Sequence, residues 1–301
     1  MYYGFVNVAS AIPSVRVADV DYNVGEIERL VKKADADGVE VIVFPELSLT
    51  GYTCQDLFAQ QKLLASAEDG MEQLLTGTSD LDVIGIVGAP VTYRNVLLNC
   101  GIVFQHGRIL GIVPKTYLPN YNEFYEKRWF ASSADILAGT VSYAGNDVTV
   151  PLEPQLFVTA SGMRFGVEIC EDVWSPMPCS NTLALAGADI VFNLSASDEL
   201  IGKHTYLLSL LSQQSARMMC GYVYSGCGFG ESTQDVVYGG NALLYENGRC
   251  LARSARFCLD SQLVSASIDV ERLRAERRKN TSFTLAQRGV DAFVVAADDV
   301  A

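Results

Sequence analysis

Long apolar runs and a basic leader are both missing from this sequence. No stretch reaches the roughly 18 consecutive apolar residues that a membrane-spanning helix needs. Residues 1–10 also lack a basic segment ahead of their short apolar stretch. We therefore expect neither a transmembrane segment nor a signal peptide, and we expect a soluble, cytoplasmic protein.

Basic residues are scarce relative to acidic ones. The 301 residues include 22 Lys and Arg against 35 Asp and Glu, which gives a net charge of −13. Such an acidic surface repels phosphate backbones and anionic lipid headgroups, so we exclude nucleic acid and membrane surfaces as partners. With 49% hydrophobic residues, the chain has enough apolar material for one large α/β domain.

Cysteine and histidine are too few or too poorly spaced for several kinds of site. The eight cysteines form no C-x-x-C pair, and at this density they do not make a disulfide scaffold. Most are expected to be small buried hydrophobes. Of the two histidines, His106 falls in a predicted hairpin turn and His204 begins a predicted helix. A Cys-His catalytic pair is therefore the less favoured arrangement.

The apolar pattern alternates short strand-like runs with helical segments. "FVNVAS", a helix over 17–37 with apolar residues at helical spacing, and "VEVIVFPE" predict a β-α-β unit. Continuous apolar runs, which are typical of strands buried on both faces, occur at "DVIGIVGAPV", "ADIVFNLSAS" and "GYVYSG".

Hairpin signals lie between these units. Turns are predicted at 106–107, 161–162 and 247–248, and the Asn-Gly pair at 247–248 is the strongest of the three. Helices on one face of a mixed sheet, with hairpins that widen it, predict a layered α/β domain whose sheet packs on a second sheet.

The last thirty or so residues differ from the rest of the chain. "IDVERLRAERRKNTSF" is charged and helical in pattern, and "VDAFVVAADDVA" has no cap and no clear partner. We therefore predict a main domain over 1–270, and an arm or the beginning of a linker over 271–301.

Three reactive side chains follow predicted strands. Glu46 ends "VIVFPE", Lys115 ends "GIVPK" and Cys170 ends "GVEIC". Because ligands bind beyond the carboxyl ends of strands in open α/β sheets, we expect the three side chains to converge.

These residue types suit nucleophilic attack on an amide carbon. A thiol attacks as thiolate, so a base must accept its proton, and Glu46 is the candidate. The oxyanion that forms needs donors, for which Lys115 and the backbone N–H of Glu171 are the candidates. Glu46 then returns a proton to the departing amine, and water cleaves the thioester. Taken singly, a Glu after Pro, a Lys after Pro and a Cys in an apolar run are each more often loop, surface and core residues than catalytic ones.

Longer motifs around these residues resemble a known family. "FPELSLTGY", "PKTYLPNYNEFYEKRWF" and "VEICEDVW", in this order, are similar to the nitrilase (carbon-nitrogen hydrolase) superfamily with its Glu-Lys-Cys triad. "NLSAS" and "GFGESTQDVVYGGNALLYENG" resemble more specifically the N-terminal glutaminase domain of glutamine-dependent NAD synthetases. The resemblance implies an α/β fold, the nitrilase-type four-layer α-β-β-α sandwich, with 1–270 as the glutaminase domain.

The resemblance also implies a role for each matching residue. Glu46 resembles the general base, Lys115 the oxyanion-stabilising lysine and Cys170 the nucleophile. Glu126 resembles a second glutamate that orients the lysine and the attacking water, although a Glu-Lys pair on a loop is the alternative. Ordinary aromatic packing is the alternative for the residues that match the family's glutamine pocket. These are Tyr52, Tyr121, Trp174 and Ser197.

The function that the resemblance implies is hydrolysis of the glutamine side-chain amide through a cysteinyl thioester. The ammonia would serve a synthetase domain that amidates deamido-NAD to NAD. The S-G-G-x-D-S pyrophosphate loop of that domain is absent from this sequence. ATP and deamido-NAD would therefore bind a synthetase domain absent from this chain, in cis or in trans, and this domain would need no cofactor and no metal.

The family resemblance further implies a homo-oligomer. Two alternatives to a glutaminase remain open. An amidase of the same superfamily would share Glu46, Lys115 and Cys170 and act on another small carboxamide. A non-catalytic scaffold would have a Cys170 thiol no more reactive than a free thiol.

Overall fold

The structure is a computed structural model, and it describes residues 3–297. The strands are, in chain order, β1 (Phe5–Ile12), β2 (Val41–Val43), β3 (Ile84–Tyr93), β4 (Val96–Gln105), β5 (Arg108–Pro114), β6 (Gly139–Tyr143), β7 (Asn146–Val150), β8 (Gln155–Val158), β9 (Arg164–Ile169), β10 (Ile190–Ser195), β11 (Gly221–Gly226), β12 (Ala242–Glu246), β13 (Arg249–Arg253), β14 (Gln262–Asp269) and β15 (Phe293–Ala296). The α-helices are α1 (Val20–Ala36), α2 (Gln61–Gly77), α3 (Glu171–Trp174), α4 (Cys179–Ala186), α5 (Lys203–Met218), α6 (Val270–Lys279) and α7 (Thr281–Ala286). Short 3-10 segments lie at Tyr52–Ala59, Glu126–Arg128 and Ser133–Asp135.

The first sheet has six strands in the order β14-β1-β2-β3-β4-β5. β1, β2 and β3 run parallel, whereas β14 pairs antiparallel with β1, and β4 and β5 continue the sheet as hairpins. The predicted β-α-β unit is therefore confirmed as β1-α1-β2. α1 begins at Val20 rather than at residue 17, because the Asp19 side chain accepts a hydrogen bond from the Tyr22 backbone N–H and caps the helix there.

The second sheet has seven strands in the order β13-β12-β11-β10-β9-β8-β15. Its centre is parallel, with β9, β10 and β11 side by side. The three predicted hairpins are confirmed as β4-β5, β8-β9 and β12-β13. At the tip of the last one, Asn247 and Gly248 have φ of 44° and 85°, as an Asn-Gly turn of type I′ requires.

The two sheets pack face to face, with helices on both outer faces. In β2, Val41 and Val43 pack with Phe192 of the second sheet. Ile42 lies between them in sequence, so it faces the other way, into the core under α1 and α2. The predicted four-layer α-β-β-α sandwich is thus confirmed. Apolar side chains of the outer helices in these cores are Val24 and Ile27 of α1, Met71 and Leu74 of α2, Leu183 of α4, and Leu207 and Leu211 of α5.

The C-terminal segment packs on the sandwich. Leu273 of α6 lies in the core between the sheets, and Arg274 Nη2 lies 2.6 Å from Asp189 Oδ2. The expectation that the apolar tail has no partner is wrong for 293–296, which form β15 beside β8. The boundary at residue 270, with a linker beyond it, stays a prediction, and residues 298–301 lie outside the described part.

Helices long and apolar enough to cross a membrane are not found among residues 3–297.

Candidate active site

The three reactive residues that follow predicted strands lie in one buried site. Glu46 lies in the loop after β2, Lys115 directly follows β5 and Cys170 directly follows β9. Lys115 Nζ lies 2.6 Å from Glu46 Oε1. The charges of both side chains act on the Cys170 thiol, and all three residues are buried. The two sheets therefore bring residues that are far apart in sequence to one place.

The segment that carries Glu46 lies against β3 because residue 88 is a glycine. A Cβ on Gly88 would lie 2.1 Å from the Leu47 backbone N. The two segments are joined by the Gly88 N–H, which donates to Ser48 Oγ at 3.1 Å, and by the Leu49 N–H, which donates to the Gly88 carbonyl at 3.1 Å. Any larger residue at 88 would push the Glu46 segment away from the sheet.

Lys115 lies between two carboxylates. Its Nζ donates to Glu46 Oε1 and to both oxygens of Glu126, at 2.8 Å each for the latter. Burial alone would lower the pKa of Lys115, but Glu126 and Glu46 raise it well above its ordinary value. Burial raises the pKa of Glu126 to about 7, with Glu46 acting in the same direction and Lys115 opposing both. Lys115 is therefore a cation at neutral pH.

Glu46 uses only one of its carboxylate oxygens in these contacts. Oε1 accepts from Lys115 Nζ and from Asn99 Nδ2, each at 2.6 Å. Oε2 is buried and has no hydrogen-bond partner in the part of the chain that the structure describes. Buried polar atoms are normally paired, so Oε2 is an acceptor held free. Sequence reasoning does not identify Asn99, because it lies within an apolar run of β4.

Cys170 occupies a sharp turn between β9 and α3. Its φ is 44° and its ψ is −99°, a conformation that is strained for a residue with a side chain. Its backbone N–H donates to the Leu194 carbonyl of β10 at 2.8 Å. Burial and the Glu46 carboxylate raise the pKa of the Cys170 thiol, and Lys115 opposes them. The thiol is therefore protonated before substrate binds.

Tyr52 is the predicted pocket residue that contacts the Lys115–Glu46–Glu126 group directly, through Glu126. Its hydroxyl donates to Glu126 Oε1 at 2.8 Å. Its backbone N–H donates to Glu231 Oε1 at 2.7 Å, and the backbone N–H of Thr53 donates to Glu231 Oε2 at 3.0 Å. Sequence reasoning does not identify Glu231, although it lies in the quoted "GFGESTQD" motif, because its partners are distant in sequence.

Of the other predicted pocket residues, Trp174 lies in α3 and Tyr121 contacts α3 through Glu171. The Tyr121 hydroxyl donates to Glu171 Oε1 at 2.7 Å, and half of the Tyr121 side chain is exposed. Lys203 Nζ lies 5.7 Å from the centroid of the Trp174 ring. Ser197 is half-buried in the loop after β10. The acid Glu171 directly follows Cys170, and the cation Lys203 pairs with Asp198 near the Trp174 ring. Neither Glu171 nor Lys203 is predicted from the sequence to bind substrate through its side chain.

These groups suit chemistry at an amide carbon. Cys170 supplies a thiol, the free oxygen of Glu46 an acceptor for its proton, and Lys115 a fixed positive charge for an oxyanion. The Glu171 backbone N–H follows the nucleophile directly, where the sequence analysis expects a second oxyanion donor. Within residues 3–297, no group of three or more His, Cys, Asp or Glu side chains is arranged to hold a metal ion.

Comparison with known proteins gives consistent relatives. A protein from Mycobacterium leprae named glutamine-dependent NAD(+) synthetase is 38% identical over 283 residues, which are 93% of this chain and 41% of that protein. A protein of the same name from Aquifex aeolicus is 28% identical over 88% of this chain and 44% of its own length. This chain therefore spans less than half the length of these relatives.

Solved structures share the fold. A glutamine-dependent NAD(+) synthetase from Cytophaga hutchinsonii matches with a TM-score of 0.78 and 26% identity, over 88% of this chain and 43% of that chain. A carbon-nitrogen hydrolase from Helicobacter pylori G27 matches with a TM-score of 0.74 and 17% identity, over 96% of this chain and 97% of its own. The sequence profile described as carbon-nitrogen hydrolase matches residues 7–278. The chain belongs to the carbon-nitrogen hydrolase family.

Proposed function

We propose that this chain hydrolyses the side-chain amide of glutamine to glutamate and ammonia through a thioester at Cys170. The observation that carries the proposal is the buried contact between Lys115 Nζ and Glu46 Oε1, at 2.6 Å, beside the Cys170 thiol. The similarity to proteins named glutamine-dependent NAD(+) synthetases supports glutamine as the substrate.

The first half-reaction forms the thioester. Glu46 Oε2 accepts the thiol proton as Cys170 Sγ attacks the amide carbon, so that a C–S bond forms and the carbonyl electrons move onto oxygen. The Lys115 ammonium and the Glu171 backbone N–H stabilise this oxyanion. Glu46 then returns the proton to the nitrogen, the C–N bond breaks and ammonia leaves.

The second half-reaction regenerates the thiol. Water attacks the thioester carbon while Glu46 takes a proton from it, and Lys115 again faces the oxyanion. The C–S bond breaks and Cys170 recovers its proton from Glu46. Glu126 keeps Lys115 in place through both steps by accepting from it with both oxygens. The sum is glutamine plus water giving glutamate plus ammonia.

The charged groups near Cys170 support a free amino acid as the substrate. Glu171 can accept hydrogen bonds from an α-ammonium group. The Lys203 ammonium group pairs with Asp198, and it has further N–H donors for an α-carboxylate. Tyr121 and Trp174 would wall the space between these charges, and Ser197 would donate a further hydrogen bond. An aliphatic amide carries neither charge, so it would gain nothing from Glu171 and Lys203.

We further propose that the ammonia is consumed by a synthetase, in cis or in trans, that amidates deamido-NAD with ATP. The relatives are about twice as long as this chain or longer, which supports a second catalytic unit outside it. ATP and deamido-NAD would bind that unit, and this domain would bind no cofactor. A cytoplasmic location and a homo-oligomer stay predictions.

The proposal is tested by ammonia release from glutamine by the wild type, by Cys170→Ala and by Cys220→Ala. Cys220 is the matched control, because it is fully buried and lies before β11, at the opposite end of the parallel strands from Cys170. Each protein is assayed alone and with a synthetase domain, ATP and deamido-NAD, because coupled glutaminases gain activity when the partner site is filled.

We expect release by the wild type and Cys220→Ala, and none by Cys170→Ala. Equal release by all three would contradict a Cys170 thioester. Turnover of propionamide or another aliphatic amide, with none of glutamine under any condition, would instead identify an amidase of the same family.

A further inference from the structure

A buried carboxylate connects the Lys115 segment to the Cys170 turn. Asp172 lies in α3, two residues after Cys170, and only 2% of its side chain is exposed. Oδ1 accepts from the backbone N–H of Thr116 at 3.2 Å and of Tyr117 at 2.8 Å. Oδ2 accepts from the backbone N–H of Ile169 at 2.9 Å.

The three donors flank the reactive residues on both sides of the site. Thr116 and Tyr117 directly follow Lys115, and Ile169 directly precedes Cys170. Lys115 belongs to the first sheet and Cys170 to the second, so the Asp172 carboxylate spans the junction between the sheets. A shift of this one group would change the position of the ammonium relative to the sulfur.

We infer that Asp172 is a positioning residue that sets the location of Lys115 relative to Cys170. It contacts neither substrate nor the reacting atoms in the mechanism above, and it acts through backbone N–H groups. The inference rests on the proposed function only where glutamine hydrolysis is the readout.

The chemistry of the carboxylate explains why an amide cannot replace it. Burial raises the pKa of Asp172 to about 6, while the N–H groups of Tyr117, Ile169 and Thr116 oppose that rise, as does Lys115. All three bonds need an acceptor. Asparagine offers one acceptor oxygen and an NH₂ group, so at least one backbone N–H would face another donor and move away.

The test compares Asp172→Asn with Asp189→Asn. Asp189 is the control, because it is also 2% exposed and also accepts a backbone N–H, that of Arg164, at 2.9 Å. Asp189 additionally pairs with Arg274, so thermal unfolding is measured for both variants. Arg164 begins β9, whereas Cys170 follows its end. The readouts are kcat and KM for glutamine, thermal unfolding, and the rate of Cys170 alkylation by iodoacetamide, measured by peptide mass spectrometry across pH.

We expect Asp172→Asn to lower kcat about 100-fold with KM changed less than about threefold, because a displacement near 1 Å has an effect of that order. Asp189→Asn should keep kcat within about threefold of the wild type. Alkylation of Cys170 should slow in Asp172→Asn and its pH dependence should move to higher pH, because Lys115 no longer favours the thiolate against Glu46 and Glu126.

Equal effects of Asp172→Asn and Asp189→Asn on kcat and alkylation would overturn the inference. If Asp172→Asn does not fold, Asp172→Glu replaces it, since it keeps two acceptor oxygens on a longer side chain. Wild-type kcat and alkylation in Asp172→Glu would also overturn it, whereas a loss of tenfold or more in a folded protein would support it. If the wild type hydrolyses no glutamine, the proposed function fails, and the alkylation rates alone still test the inference.

Discussion

The free oxygen of Glu46 allows the proposed general base to be removed by a substitution that changes little else. In the wild type, Lys115 Nζ and Asn99 Nδ2 each lie 2.6 Å from Glu46 Oε1. In Glu46→Gln, the side-chain carbonyl oxygen can take the position of Oε1 and accept both hydrogen bonds. The NH₂ group then takes the place of Oε2, which has no hydrogen-bond partner among the described residues. The substitution therefore leaves the geometry in place and removes the proton acceptor.

The expected effects on rate and stability differ greatly in size. Loss of a general base lowers kcat by about 10²- to 10⁴-fold. The hydrogen bond from Asn99 becomes a neutral one, and the bond from the Lys115 cation loses its ionised acceptor. Each loses about 1 kcal/mol, so the free energy of unfolding should fall by about 2 kcal/mol. Glu126 still neutralises Lys115, so no unpaired buried charge results. The protein should remain folded, because domains are typically stable by about 5–15 kcal/mol.

Two assays with opposite expected signs make this prediction sharp. The rate of ammonia release from glutamine should fall by about 10²- to 10⁴-fold. Alkylation of Cys170 by iodoacetamide should become faster, because the Glu46 carboxylate raises the pKa of the thiol and its removal increases the thiolate fraction. Thermal unfolding controls for folding. A folded Glu46→Gln protein with more than a tenth of wild-type kcat would refute the assignment of Glu46 as the base. Slower alkylation would contradict the effect of the Glu46 charge on the pKa of the Cys170 thiol.

Two further predictions concern buried charge. Lys115→Met leaves Glu46 and Glu126 without their cation, so the free energy of unfolding should fall by about 3–5 kcal/mol. The fall should be larger at pH 8 than at pH 5, because more of the buried carboxyl groups are ionised at pH 8. An unchanged chemical-denaturation midpoint would contradict this prediction. Burial raises the pKa of Glu168 from 4.5 to about 7, so its favourable contribution is present below pH 4.5 and is lost as pH rises through 7. Between pH 5 and pH 8 the wild type should lose about 2–3 kcal/mol more stability than Glu168→Gln. Parallel pH profiles of unfolding for the two proteins would contradict a raised pKa of Glu168.

The sequence predicts the fold and the positions of Glu46, Lys115 and Cys170 because these depend on local pattern. Each of the three residues follows an apolar run, and a run of that length is typical of a buried strand. The four-layer arrangement itself is implied by the resemblance to the nitrilase superfamily. Strand ends then place the side chains at one edge of the sheets. The Asn-Gly turn at 247–248 is predicted for the same reason, since its backbone conformation depends on the two residues themselves.

Features that depend on distant contacts are not predictable in this way. In the sequence, Asn99 is a single polar residue within an apolar strand. Its hydrogen bond to Glu46 depends on a segment about fifty residues away, so the strand pattern does not indicate it. Asp172 looks like a surface acid near a turn until Thr116 and Tyr117 are brought to it. β15 pairs with a strand far earlier in the chain, so nothing within 293–296 indicates its partner.

The protonated form of the Cys170 thiol affects how fast the sulfur is oxidised. Peroxide oxidises thiolates much faster than thiols, and the first product is a sulfenic acid. Burial and the neighbouring carboxylates keep the Cys170 proton in place, whereas Cys250 is exposed to solvent. We therefore expect Cys170 to be oxidised more slowly than Cys250 as long as no substrate is bound, so that the thiol is conserved between turnovers.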